Sequence, residues 1–224
     1  ANPTRPVDSI LFRTGGTAAP ATAGNGFVID NLSQFSGAVP CTTICYVDAA
    51  GGSNSNGGTS PADALLTIQK GIEMVEPGGE VRVLPGTYTE SPSIPKSLTL
   101  LSTAGRDLTT IDLQTGPTYL GALTIGGADV TVQGFTIEGF DAVGAGLAST
   151  NVLVNTTPTS VVLMDNRFKV GQIGVGSNGD DGFGILTTYT TSSDVASLVV
   201  ENSEFMPVGA AGGRRAFYIN PGVD

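Results

Sequence analysis

The chain has 224 residues, 20 acidic and 10 basic, for a net charge of −10, with 32 glycines, 13 prolines, no tryptophan and no histidine. Without histidine, imidazole-based zinc and haem sites are excluded, as are Ser-His-Asp and Cys-His catalysis. The acidic balance opposes nucleic-acid binding, because no basic patch is available to displace counterions.

Residues 1–45 are rich in Thr, Ala and Gly, with strand-like SILFRT and GFVIDN, and read as an irregular N-terminal extension to a domain spanning 46–224. The chain begins at Ala1 without Met, which suggests a processed or excised segment. No stretch approaches the roughly 20 apolar residues of a membrane span. Cys41 and Cys45, in CTTIC, have no second metal-ligand cluster nearby and are expected to form a disulfide rather than remain free thiols. So small a loop contributes about 2 kcal/mol at most and serves to pin the approach to a strand at Tyr46–Asp48.

A helix is predicted over about 61–76. Ser60 suits the N-cap, Pro61 the first helical position and Asp63 the third, a variant of the capping box. Leu65, Ile68, Ile72 and Val75 then recur at helical spacing, and Pro77-Gly78-Gly79 stops the pattern.

Beyond the helix the chain repeats itself. DVTVQGFTIEGF (129–140), SVVLMDNRFKVG (160–171) and SLVVENSEFMPVG (197–209) share a strand, a polar turn, a Phe and a second strand, with Phe135, Phe168 and Phe205 spaced by 33 and 37 residues. AGLAST (145–150), FGILTT (183–188) and RAFYIN (215–220) supply a third strand to each unit, and SLTLLS, TTIDLQ and GALTIGG form an earlier, less regular one. Repeats of this length with three short strands predict an all-β solenoid, a three-sided parallel β-helix with coils over about 80–220. Its exposed apolar end is the surface that the single helix would cap. Period-two alternation points Val130, Val132, Phe135 and Ile137 inward, then Val162, Met164, Phe168 and Val170, then Leu198, Val200 and Phe205. Asn166 and Asn202 are expected to stack at one bend, with Gly134 in the preceding unit. A β-sandwich is the rival fold.

YVDAAGGSNSNGGTSPADALLTIQKGI, followed by VEPGGEVRVLPGTYTE, resembles the N-terminal cap of right-handed parallel β-helix proteins of the pectate-lyase-like superfamily, the secreted and surface proteins of bacteria in particular. The resemblance covers about residues 46–220 and is strongest over 46–90. It implies a right-handed coil and an extracellular setting. It does not fix function, because the same architecture serves lyases, glycoside hydrolases, adhesins and noncatalytic surface modules.

Lyases of that superfamily typically abstract a proton beside a uronate carboxylate, using Arg or Lys next to Ca²⁺ held by acidic side chains. The matching residue types here are Asp165 and Glu201, candidates to share a Ca²⁺, with Arg167 or Lys169 beside the substrate and Gln133 in the same outward stack. The alternative is a solvated charged face, and no catalytic motif of the family is recognisable. Asn178, Asp180 and Asp181 in SNGDDGFG form a second Ca²⁺ candidate, with a plain acidic turn as the alternative. Arg214-Arg215 is a candidate grip on an anionic sugar, or on a carboxylate across a stacking interface; a solvated turn is the alternative. Asp112 is a candidate acid of an inverting glycosidase whose second carboxylate the sequence does not identify. Asn31 and Asn155 fit the glycosylation sequon.

Two functional expectations follow. The first is a noncatalytic extracellular module, structural or adhesive, joined end to end through a bare C-terminal coil, with carbohydrate or copies of itself as partners. The second is a polysaccharide lyase or glycoside hydrolase acting on an acidic glycan, with Ca²⁺ as the only cofactor expected.

Overall fold

The computed structural model describes residues 39–113, 121–139, 149–155, 160–170, 181–188, 197–207 and 213–219. Short strands with polar bends build three parallel sheets. One sheet stacks β1 (Ile44–Val47), β2 (Glu80–Val83), β5 (Leu98–Ser102), β8 (Asp129–Gln133), β11 (Ser160–Met164) and β14 (Ser197–Glu201), in that order. The second stacks β3 (Gly86–Tyr88), β6 (Thr109–Asp112), β9 (Thr136–Glu138), β12 (Arg167–Val170) and β15 (Glu204–Pro207). The third holds β4 (Ser93–Ile94), β7 (Gly121–Ile125), β10 (Ser149–Asn155), β13 (Asp181–Thr188) and β16 (Gly213–Ile219). From β2 to β16 the chain visits the three sheets in strict rotation, five times among the described residues. This is predominantly β structure in stacked parallel sheets, compatible with a parallel β-helix.

Each strand presents alternate residues to the interior, so equivalent residues of successive coils form columns. Val81, Leu100, Val132 and Leu163 form one inner column, which Val200 extends; Tyr88, Ile111, Ile137 and Phe168 form another, extended by Phe205. The residues of both columns as far as Leu163 and Phe168 are buried.

The predicted helix over 61–76 is two pieces. Pro61–Asp63 is a single 3-10 turn, and the α-helix, α1, is Ile68–Met74 with Thr67 as its N-cap. Ala64 and Thr67 are extended because Leu65 is recruited to the edge of β1. Leu65 N–H donates to the Tyr46 carbonyl at 2.9 Å and the Leu65 carbonyl accepts from Asp48 N–H at 2.8 Å. Satisfying that open edge outweighs continuing the helix. Leu65, Ile68, Ile72 and Val75 are nevertheless all buried, as their spacing predicts. Cys41 and Cys45 are joined, with Cα atoms 5.2 Å apart, and both are buried.

Seven residues are too few for a helix to stand alone in water. α1 is held at both ends by one neighbouring segment. Glu90 accepts from Ile68 N–H at 2.7 Å and Gln69 N–H at 3.0 Å, and Lys96 Nζ donates to the carbonyls of Glu73 and Val75. The carboxylate and the ammonium oppose the two ends of the helix dipole.

Three further expectations are corrected. Val161 and Leu163 are buried and Val162 and Met164 face outward, because β11 pairs Leu163 with Val132 and Met164 with Gln133. Phe168 is in register with Ile137, not with Phe135, which falls two residues earlier in its coil although it too is buried. The third strand of that coil, as described, is Ser149–Asn155, which runs on past the end of AGLAST; residues 145–148 lie outside the described residues.

Candidate functional site

The bend between the first and second sheets places Gln133, Asp165 and Glu201. Gln133, Met164 and Glu201 are in register at the strand ends, and the next residues, Gly134, Asp165 and Asn202, all have positive φ (82°, 54° and 48°). Asp165 is therefore the equivalent of Asn202: a left-handed turn residue, where Gly, Asn and Asp are the tolerated types. Its Oδ2 accepts from Gln133 Nε2 at 3.1 Å, and its N–H donates to the Glu201 carbonyl at 3.0 Å. Glu201 lies across from Met164, one position out of step with Asp165.

The expected asparagine stack is replaced by a different ladder. Asn166 is buried one residue beyond the bend, donating from Nδ2 to the Val132 carbonyl (2.9 Å) and accepting at Oδ1 from Phe135 N–H (3.0 Å). Ser203 repeats half of the arrangement one coil on: its Oγ accepts from Asn166 N–H, while its single proton has the Glu201 carbonyl at 2.9 Å and the Leu163 carbonyl farther off at 3.4 Å. A buried side chain is thus used to satisfy main-chain groups of the coil before it.

Arg167 and Lys169 project from the outer face of the second sheet and both are paired. Arg167 Nη1 lies 2.8 Å from Asp107 and its Nε 3.1 Å from Glu204, while Lys169 Nζ lies 3.0 Å from Glu138. The hydrogen bond to Glu204, then that to Asp107, pushes the Arg167 guanidinium above its ordinary value. A base needs the opposite shift, so this setting favours a fixed cation over a proton acceptor. The register also brings Asp112, Glu138 and Lys169 into one column, so the acid nearest to Asp112 on the adjoining strand is Glu138. Nothing in the sequence spacing identifies that pair, because it depends on the length of the intervening coil.

Among the described residues there is no group of three or more acidic, Cys or His side chains able to hold a metal. Asn178 and Asp180 lie outside the described residues. Asp181 opens β13, and Arg214 and Arg215 lie within β16, opposite Gly182 and Phe183; the side chains of these three are likewise outside the description. Asn31 is outside it, and Asn155 ends β10. A hollow of about 310 Å³ on the first sheet is lined by Ser97, Thr99, Asp129, Thr131 and Ser160 among others, hydroxyls with one carboxylate.

The last strand in each sheet is β14, β15 or β16. Leu198, Val200 and Phe205, which extend fully buried columns, are only partly buried there. No helix among the described residues is long and apolar enough to cross a membrane. Neither a scan against protein-family models nor a search of curated proteins finds a match for this chain.

Proposed function

We propose that the chain is a noncatalytic extracellular module, structural or adhesive, built as a right-handed parallel β-helix of the pectate-lyase-like kind. In this reading the segment from Leu65 to Val75 caps one end of the coil. The last coil among the described residues, β14 to β16, presents the partly buried apolar residues onto which a second copy stacks. The observation that carries it is the contrast within single columns: Leu163 and Phe168 are wholly enclosed, whereas Val200 and Phe205, one coil later, are not. An uncovered strand edge is a template for pairing with another chain. The buried disulfide suits an oxidising, extracellular setting. Light scattering across a concentration series tests the reading: mass should grow with concentration and revert to monomer in Val200→Glu. Monomer at every concentration would sink it.

A second reading, a polysaccharide lyase or glycoside hydrolase acting on an acidic glycan, draws support from the Asp112–Glu138–Lys169 column. Adjacent strands are about 4.8 Å apart, nearer the roughly 5–5.5 Å between carboxyl groups in retaining glycosidases than the roughly 6.5–9.5 Å of inverting ones. The net charge of −10 opposes a polyuronate substrate unless Ca²⁺ intervenes. Turnover of polygalacturonate or alginate, assayed with and without Ca²⁺ and lost in Glu138→Gln, would favour this reading over the first.

A further inference from the structure

We propose that residues 103–108 form an electrostatic clasp that governs the opening of the last coil from three coils away. The segment interrupts the short bend that later coils use between β8 and β9 or between β11 and β12, and it lies instead along the outside of those bends. Arg106 Nη1 donates to the main-chain carbonyls of Asn166 (3.2 Å) and Asn202 (2.7 Å), 60 and 96 residues further on. The next residue, Asp107, holds Arg167 at 2.8 Å, and Arg167 in turn holds Glu204 at 3.1 Å. One loop thus reaches β15 and the bend before it through two charged routes.

The loop is itself fixed to the coils beneath. Ala104 N–H and Gly105 N–H donate to Ser102 Oγ, and the Arg106 carbonyl accepts from Thr136 Oγ1 at 2.8 Å. Its close approach accounts for the absence of a side chain at Gly134, where a Cβ would meet Ser102 Cβ at 3.3 Å and Gly105 Cα at 3.4 Å. The guanidinium binds the carbonyl of Asn202, the left-handed residue on which the bend into β15 turns, and so holds that turn from outside. Edge elements open more readily than enclosed ones, so a tether there acts on the weakest unit of the stack.

Hydrogen exchange on the full chain tests the clasp, read at a dilution where the protein is monomeric so that self-association does not enter. In Arg106→Met, amides of 197–207 should exchange roughly tenfold faster, the effect of losing one charge-assisted hydrogen bond, while those of 44–83 keep their wild-type rates. Unchanged exchange over 197–207, or acceleration shared equally with 44–83, would overturn the proposal. Should the variant not fold, wild-type protein decides. Raising NaCl from about 0.02 to about 1 M screens the Asp107–Arg167–Glu204 pairs, and should accelerate 197–207 selectively; no selective change would overturn the clasp.

Discussion

The ring of Phe168 stacks on that of Phe205 one coil later, with centroids 4.8 Å apart and planes 25° from parallel, while its neighbour on the other side is Ile137. A fully enclosed ring in such a column has no room to relax when it is cut back. Phe168→Ala should cost about 3–5 kcal/mol, and Phe168→Asp, which buries a charge, should abolish cooperative unfolding. Phe205→Ala should cost less, since that ring is only partly buried. Chemical denaturation followed by circular dichroism measures all three. Retained cooperative melting in Phe168→Asp would contradict the assignment of that face to the interior.

The pH dependence of α1 is set by Glu90. Burial pushes its carboxyl above the ordinary value, and the hydrogen bonds from Gln69 and Ile68 N–H only partly oppose this. A folded pKa above the unfolded one means that the linked stability is fully present below the unfolded carboxylate range. It is lost as pH rises through the folded value. The stability advantage of wild type over Glu90→Gln should therefore narrow as pH rises across and just above the usual carboxylate range. A gap that widens over the same interval would mean that the helix N–H groups outweigh burial.

Tyr88 fixes the turn between β2 and β3 to the loop after β1. Its hydroxyl directs its one proton to the Leu84 carbonyl (2.8 Å), with the Val47 carbonyl at 3.2 Å, and accepts from Ala49 N–H (3.2 Å). Burial pushes the phenol up to about 12. Ultraviolet titration should show a component ionising that high that is lost in Tyr88→Phe, with its linked stability intact below the ordinary value near 10 and lost as pH rises through the folded one. Tyr88→Phe should cost about 1–3 kcal/mol by removing the hydroxyl that serves Ala49 N–H and the Leu84 carbonyl; the Val47 carbonyl keeps its bond from Leu84 N–H at 2.8 Å.

At the first bend, three equivalent positions tolerate different substitutions. Gly134→Ala should lose about 1–2 kcal/mol, because φ is 82° and the added methyl meets Ser102 and Gly105. Asp165→Asn should fold as well as wild type, since Asn also accepts the left-handed conformation. Any glycan-cleaving activity of the protein should survive it, because Asp165 is placed as a turn residue; loss of activity with an unchanged melting curve would restore Asp165 as a catalytic candidate.

Much of this architecture is legible in the residues themselves. The spacing of Leu65, Ile68, Ile72 and Val75 identifies a buried stripe, and the alternation in DVTVQ assigns the faces of β8 correctly. The failures have physical causes. In SVVLM every residue from 161 to 164 is apolar, so hydrophobicity sets no phase, and the Asp165 bend sets it instead. Capping residues at Ser60, Pro61 and Asp63 do start a turn, but the open edge of β1 claims Leu65 before an α-helix can propagate. Matching phenylalanines across units misaligns Phe135, because the bend column of Gly134, Asp165 and Asn202 fixes the register and mixes residue types. The roles of Glu90, Arg106 and Asp107 depend on partners 21 to 96 residues away, for which local pattern carries no signal.

The coil-on-coil register is tested most directly by a cross-link on the outer face of the first sheet. Thr131 and Val162 are directly opposite on β8 and β11, both facing outward, at a strand spacing of about 4.8 Å that a disulfide can span. The pair Thr131→Cys with Val162→Cys should close within the monomer under mild oxidation, whereas Thr131→Cys with Met164→Cys, displaced by two residues, should not. A bond in the displaced pair, or in neither, would contradict the stacked parallel coils on which the functional reading rests.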